Sequence, residues 1–371
     1  MKKFILILLA SIMASSFAAC DSAADNDENG NIENPETAIV ETESQPIEIG
    51  ASAATVSDFF PILPDVRWRY EGNDVTFAAT NDVSFGYING AKAQRRVSAG
   101  GMATTEIIDA SEGKVEIIHG DNMYYYYDDI TYAQKFMSIV ILKEPLEMGA
   151  KWLTAEDAQS EITSVNAPVT VPAGEFSALE VTTTYSNGYV DKYYYAKGVG
   201  LVKSVCDSGA GRIVSELADV LKGEAAAETI SAGFYWPNVT EGSVERIEKD
   251  LLFTTDANFP KQFSDAMKEP PSIDYTPLLT PNATINDITV DWTTKTAKID
   301  ISGDYLKEIN VGDGLQTKIL QCLTNTIGNF YGVDEVLITI DQKPYENGAA
   351  AFEPGETIPV EKEDQKLEEK E

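Results

Sequence analysis

The stretch Ala178-Leu179-Glu180-Val181-Thr182-Thr183-Thr184-Tyr185, followed after Ser186-Asn187-Gly188 by Tyr189-Val190-Asp191-Lys192-Tyr193-Tyr194-Tyr195-Ala196, decides the fold of the larger half of this chain. Apolar and polar residues alternate in both arms, and β-branched and aromatic side chains dominate, the pattern of two half-buried strands. Between them Asn187-Gly188 supplies two residues that accept positive φ, so a type I′ hairpin is expected.

Outward from this hairpin the same pattern recurs. Short alternating runs cover Asp82–Ile88, which leads into Asn89-Gly90, then Met102–Ile108, Lys114–Ile118, Asn122–Tyr127 and Glu161–Val165. Gly, Asn, Asp and Pro punctuate them, as in antiparallel hairpins. The Ala-, Leu- and Glu-rich segment Ser215–Ala227 reads as a helix or helical linker closing this unit. Residues 55–227 are therefore expected to form a mainly antiparallel β domain with a terminal helix.

Beyond Glu228 the periodicity changes. Ile230–Trp236 reads as a strand, and Asp256–Met267 as a helix that Pro270-Pro271 ends. Ile288–Trp292 and Ala297–Ile301 form a hairpin. Leu315, Ile319, Leu323, Ile327 and Phe330 recur at helical spacing, and Val336–Ile340 closes with a strand. Residues 228–360 thus form a small α+β domain. Gly332-Val333-Asp334 turns its long helix back onto the last strand.

Three pieces of this second domain carry a family resemblance: Ser231-Ala232-Gly233-Phe234-Tyr235-Trp236-Pro237, the hairpin Ile288-Thr289-Val290-Asp291 with Ala297-Lys298-Ile299-Asp300-Ile301-Ser302, and the run from Leu323-Thr324-Asn325-Thr326 to Val336-Leu337-Ile338-Thr339-Ile340-Asp341. Together they resemble the GerMN domain of sporulation and spore-germination lipoproteins, over roughly residues 231–359. Members often place Asp-Gly after the final strand, where this chain has Asp341-Gln342-Lys343, and some carry two copies. The resemblance implies an extracytoplasmic α+β module, similar in build to the ring-building modules of envelope machines, that acts by protein contact and brings no catalytic constellation. In the first domain, Phe59-Phe60-Pro61-Ile62-Leu63-Pro64 with Trp68 and Tyr70, Pro172-Ala173-Gly174-Glu175-Phe176 and Gly198-Val199-Gly200-Leu201-Val202 resemble β-rich domains of bacterial lipoproteins. That likeness implies an open antiparallel sheet or half-barrel.

The N-terminus reads as an export signal over residues 1–19. Lys2 and Lys3 precede a short apolar core, and small residues follow from Ser15 to Ala19. The apolar run falls short of the ~20 residues a spanning helix needs. Phe17-Ala18-Ala19-Cys20 resembles a lipobox, which implies diacylglycerol on Cys20 and anchorage to the outer face of the cytoplasmic membrane. Residues 20–54 form the lipidated linker; nine Asp or Glu and no Lys or Arg stand between Cys20 and Gly50, so a solvated tether is expected. Residues 361–371 form a second charged tail. Net charge is −32, of which −22 remains once signal, tether and tail are set aside. An acidic surface of this kind argues against nucleic acid or anionic lipid as partners, since both require basic residues to replace counterions.

The chemistry legible in the chain is sparse. His119 is the single histidine, and beside Gly120-Asp121 it reads as a turn residue, which rules against zinc hydrolases that need several. A glycoside hydrolase needs only two carboxylates, so that class stays open among 60 acidic residues, with no pair singled out. Gly198-Val199-Gly200 and Gly209-Ala210-Gly211 lack the remainder of a phosphate-binding loop. Tyr124–Tyr127 and Tyr193–Tyr195 admit sugar stacking or simple alternation between the two faces of a strand. Asp25, Asp27, Asn29, Gly30 and Glu36 match calcium-loop spacing, but without flanking amphipathic helices and with Pro35 before the last ligand. Cys206 and Cys322, in different domains, are expected as free buried thiols. No cofactor is expected. The chain therefore reads as a non-enzymatic lipoprotein that docks envelope, sporulation or germination proteins through its second domain. The alternative is a sensing or binding lipoprotein whose β domain holds a glycan, peptide or lipid.

Overall fold

The computed structural model describes residues 54–361 except 73–78, 100–101, 122–126, 208, 210 and 349. The signal, Cys20, the calcium-like loop Asp25–Glu36, the tail beyond Glu361 and nearly all of the expected strand Asn122–Tyr127 lie outside the described residues.

A one-turn helix, α1 (Val56–Phe59), precedes twelve strands: β1 (Val66–Gly72), β2 (Asn81–Asn89), β3 (Lys92–Ala99), β4 (Met102–Asp109), β5 (Lys114–Asp121), β6 (Ile139–Lys143), β7 (Lys151–Ala155), β8 (Ala158–Val171), β9 (Gly174–Tyr185), β10 (Val190–Ala196), β11 (Gly200–Asp207) and β12 (Arg212–Lys222). They form one antiparallel sheet in the order β6-β5-β4-β3-β2-β1-β12-β11-β10-β9-β8-β7. The two edge strands, β6 and β7, are consecutive in sequence, and the indole N–H of Trp152 on β7 donates to the carbonyl of Val140 on β6 at 3.0 Å. The sheet therefore curls into a nearly closed barrel. Curling removes most of the exposed edge that so large an open sheet would present.

The β9–β10 hairpin forms as expected, with Glu180 opposite Tyr194 and Thr184 opposite Val190. Its turn differs. Among Ser186, Asn187 and Gly188 only Gly188 takes a positive φ, 89°, and the Tyr185 N–H bonds the Tyr189 carbonyl across a three-residue loop. Such a loop is a turn followed by a glycine bulge, not type I′.

The expected terminal helix over Ser215–Ala227 is a correction. Residues 212–222 are strand β12, paired with β1 on one side (Val66 opposite Lys222) and β11 on the other (Val205 opposite Val214); a single 3-10 turn, Gly223–Ala226, follows. Ladder bonds on both edges and burial of Ser215 and Leu217 outweigh the modest helix preference of Ala, Leu and Glu. His119 is likewise no turn residue: it sits within β5 opposite Ile107.

The second region opens with a long hairpin, β13 (Glu228–Pro237) and β14 (Val244–Phe253). β14 escapes a periodicity reading because Glu245, Arg246, Glu248, Lys249 and Asp250 break its apolar alternation. Helix α2 (Phe259–Lys268) starts where the Asn258 side chain accepts from the Lys261 N–H at 2.9 Å. Then come β15 (Ile285–Asp291), β16 (Thr296–Ile301), the short α3 (Asp304–Glu308), the 19-residue α4 (Asp313–Tyr331), β17 (Glu335–Ile340) and β18 (Lys343–Pro344). Strands β16 and β17 run parallel, with Ala297 opposite Val336, and the α3–α4 segment makes the crossover. Gly332, φ 69°, caps α4. Phe234, Trp236, Phe263, Leu323 and Ile327 are fully buried where α2, α4 and β13 meet. The β17–β18 turn carries Asp341-Gln342. Here Asp341 and Gln342 both adopt positive φ, and the Gln342 N–H donates to Asp300 Oδ1 at 2.7 Å, which offsets the backbone cost.

Candidate functional site

Two features stand out: a cavity inside the barrel and a buried seam joining the barrel to the second region. The cavity, about 200 Å³, arises because inward-facing positions carry polar as well as apolar side chains. Strand alternation points Val83 and Phe85 of β2, Arg95 and Val97 of β3, and Glu106 of β4 toward the interior. The Arg95 Nε donates to Glu106 Oε2 at 2.8 Å, and a second guanidinium N–H reaches the same oxygen. The guanidinium also lies 5.9 Å from the Phe60 ring centroid. Phe60 and α1 close this end of the barrel, fixed by the Gly198 N–H donating to the Asp58 carbonyl at 2.7 Å and the Val56 N–H to Glu144 at 2.9 Å.

Strands β7 to β10 bring a chain of hydroxyls. Thr154 and Ser160 hydrogen-bond each other, and Ser160 reaches Thr183 at 2.7 Å. Further along, Tyr185 donates to Asp191 Oδ2 at 3.0 Å, Tyr193 donates to the same oxygen at 3.2 Å, and the Asp207 N–H donates to Oδ1 at 2.9 Å. Burial raises the Asp191 carboxyl above the usual range despite these donors. Burial, reinforced by Asp191, pushes the Cys206 thiol up to about 12, so it is no thiolate nucleophile near neutral pH. The Tyr triplet follows the alternation reading: Tyr193 and Tyr195 line the cavity, while Tyr194 lies half-buried on the other face. Cys206 and Cys322 are buried and not disulfide-bonded, as expected.

The seam lies on the outer face of β2–β5. There Gln94, Arg96, Thr105, Ile107, Glu116 and Ile118 are buried although they point away from the cavity. Residues 127–138 cover part of this face, and the second region covers the rest. Lys114 at 2.8 Å, Lys135 at 2.5 Å and Ser138 all bond Glu116; burial opposes its ionisation, but these partners hold its carboxyl down to about 2. Tyr127 inserts among Phe253, Phe259 and Phe330 with centroids at 5.5, 5.8 and 4.9 Å. Arg96 stands over both Tyr127 and Phe253 and pairs with Glu228 at 3.0 Å. Gly86 meets Phe253 so closely that a Cβ there would stand 2.8 Å from the ring. Thr255 locks the corner: its N–H donates to Asp65 Oδ1 at 3.1 Å, and its hydroxyl donates to the Phe85 carbonyl at 2.7 Å.

Trp292, from the β15–β16 turn, packs against Ile107, Ile118 and Ile130. Beside it, burial pushes the Asp128 carboxyl up to about 6, with Asp129 and Asp287 adding repulsion and a Trp292 contact opposing it. Between the unfolded value of ~3.9 and about 6 the folded chain binds more proton than the unfolded one. Stability is therefore highest below that window and falls across it as pH rises towards the folded value, by up to about 3 kcal/mol. Asp128→Asn is expected to flatten this slope and to raise stability at pH 7.5. Urea denaturation at pH 4.5, 6 and 7.5 measures it, and an unchanged slope in the variant would show that another group titrates.

Among the described residues no cluster of three or more His, Cys, Asp or Glu is placed to hold a metal ion. His119 packs edge-on against Phe136 at 4.5 Å, and its Nδ1 lies 3.4 Å from the Gln134 carbonyl oxygen. Neither the Arg95–Glu106 pair nor the Tyr127 seam was singled out by sequence reading. Arg95 is legible in retrospect as a charge on the inward parity of an otherwise apolar strand; Tyr127 left no such signal.

The chain is thus a two-part scaffold, a nearly closed β-barrel with an internal cavity joined by a buried aromatic seam to a small α+β domain. Its α+β part is GerMN-like: residues 234–346 match the Germane family, described as sporulation and spore germination. Similar solved structures include the tandem GerMN domains of the sporulation protein GerM from Bacillus subtilis, 17% identical, covering 34% of this chain and 45% of that one, TM-score 0.27. This chain thus spans less than half of that relative. A protein from Bacteroides fragilis, described as a candidate exported protein with a YmcC-like fold, is 12% identical over 44% of this chain and 99% of its own, TM-score 0.26. A candidate lipoprotein from Clostridium perfringens is 15% identical over 35% and 87%, TM-score 0.24. No curated protein matches the chain. Among the described residues no helix is long and apolar enough to cross a membrane.

Proposed function

We propose that this chain is a non-enzymatic lipoprotein, held through Cys20 to the outer face of the cytoplasmic membrane, whose GerMN-like region docks proteins of an envelope assembly in sporulation or germination. The Germane match over residues 234–346 carries this reading. The acidic tether between Cys20 and the barrel sets the folded part off from an anionic membrane surface, leaving the second region free to meet partners. That region offers Val239, 52% exposed, and Ile273, 95% exposed, on loops tied together by the Val239 N–H donating to the Asp274 carbonyl at 2.8 Å. Exposed apolar side chains of this kind are candidate contact points for a partner.

The test is a crosslinking pull-down of the intact chain from its own membranes, read by mass spectrometry. Val239→Asp with Ile273→Asp is expected to lose envelope or sporulation proteins that the native chain retains, and Cys20→Ala is expected to leave the membrane fraction. Partners that survive the paired substitution move docking off this surface, and membrane retention of Cys20→Ala with normal maturation removes the lipid anchor.

A further inference from the structure

The cavity is divided by strand. β2, β3, β5 and β6 contribute Val83, Val97, Ile117 and Ile139, whereas β7 to β12 contribute the hydroxyls of Thr154, Ser160, Thr183, Ser204 and Ser215 along with the apolar Val181 and Leu201. A barrel that needed only a core would fill this space with aliphatic side chains, because unfilled volume and buried polar groups both cost stability. The void is somewhat larger than the ~150 Å³ engineered cavity that accepts benzene, so it suits roughly nine non-hydrogen atoms.

The Arg95–Glu106 pair sets what head group fits. Both bonds from the guanidinium go to Glu106 Oε2, so Arg95 Nη1 and Glu106 Oε1 have no hydrogen bond among the described residues. The pair thus presents spare guanidinium N–H donors beside a spare carboxylate acceptor at zero net charge. A carboxylate head would meet Glu106, and an ammonium head would meet Arg95, each as an uncompensated charge in a confined space. A hydroxyl or amide satisfies both at once.

We propose that the barrel cavity binds a small uncharged amphiphile, a single ring or short chain whose hydroxyl or amide accepts from Arg95 and donates to Glu106. The aliphatic strands hold its apolar body, and the hydroxyl chain from Thr154 to Thr183 serves further polar substituents. This site is independent of docking by the second region.

Calorimetric titration tests it, on the full chain carrying Cys20→Ala so that no anchoring lipid or detergent competes. The probes share one chain length: 1-octanol, octanoate and octylammonium, with toluene as a purely apolar control. 1-Octanol is expected to bind saturably with one-to-one stoichiometry, and the two charged probes at least tenfold more weakly. Val181→Phe and Leu201→Phe, which fill the cavity from two different strands, are each expected to abolish binding, and either one that keeps the native far-ultraviolet dichroism decides the point. Arg95→Met with Glu106→Leu is expected to weaken 1-octanol at least tenfold and leave toluene unchanged. Tightest binding by octanoate or octylammonium, no saturable heat with any probe, or binding that survives a folded cavity-filling variant each overturns the proposal.

Discussion

Glu106→Leu is expected to destabilise the barrel by about 3 kcal/mol, the range seen when one member of a buried ion pair is removed and its partner stays. Arg95 and Glu106 are 20% and 13% exposed, enough to shelter the guanidinium from bulk water and too little to let it escape. Without the carboxylate the guanidinium faces Val83, Val97 and the Phe60 ring with no countercharge. Replacing both members by apolar residues, Arg95→Met with Glu106→Leu, is expected to leave stability within about 1 kcal/mol of native, because the desolvation cost goes with the attraction. Urea unfolding followed by tyrosine and tryptophan fluorescence measures both. If the single variant costs less than about 0.5 kcal/mol, water solvates the guanidinium and the pair is not the polar centre of a closed cavity.

Tyr127→Ala acts on the seam and is expected to cost about 3–4 kcal/mol, the loss typical of removing a large buried aromatic ring. The ring is 9% exposed and stacks on Phe330, a residue of the second region, while its own chain segment belongs to the barrel. Its removal also takes one aromatic partner from Arg96, leaving that cation over Phe253 and beside Glu228. Because the ring is shared between the two cores, the more telling result is cooperativity. Native unfolding is expected as one calorimetric transition and the variant's as two. A single transition lowered by less than about 1 kcal/mol would mean that the Arg96–Glu228, Phe253, Thr255 and Trp292 contacts unite the two parts without the ring.

Much of the fold was legible because its signals are local. The alternation of Ala178–Tyr185 and Tyr189–Ala196, the helical spacing of Leu315 to Phe330 and the Gly332 stop each lie within a few turns of chain. Misreadings arose where a distant partner decides. Arg212–Lys222 has helix-favouring composition but becomes a strand because β1, some 150 residues earlier, needs a neighbour. Val244–Phe253 looks too charged for a strand until β13 lies beside it. His119 is drawn into β5 by pairing with β4.

The candidate site follows the same division. Sequence alone determined the two-part organisation, the mainly-β character of the first part, the GerMN-like character of the second and the acidity of the whole, since each rests on composition or on residues close in the chain. Only the tertiary structure decided that the sheet curls until β6 meets β7, that Arg95 and Glu106 share one cavity with the Thr154–Thr183 hydroxyls, and that Tyr127 is buried in the other domain's core. The physical reason is that an ion pair, a cavity and a seam are set by which strands become neighbours. That choice depends on closing the whole barrel rather than on any local run of residues.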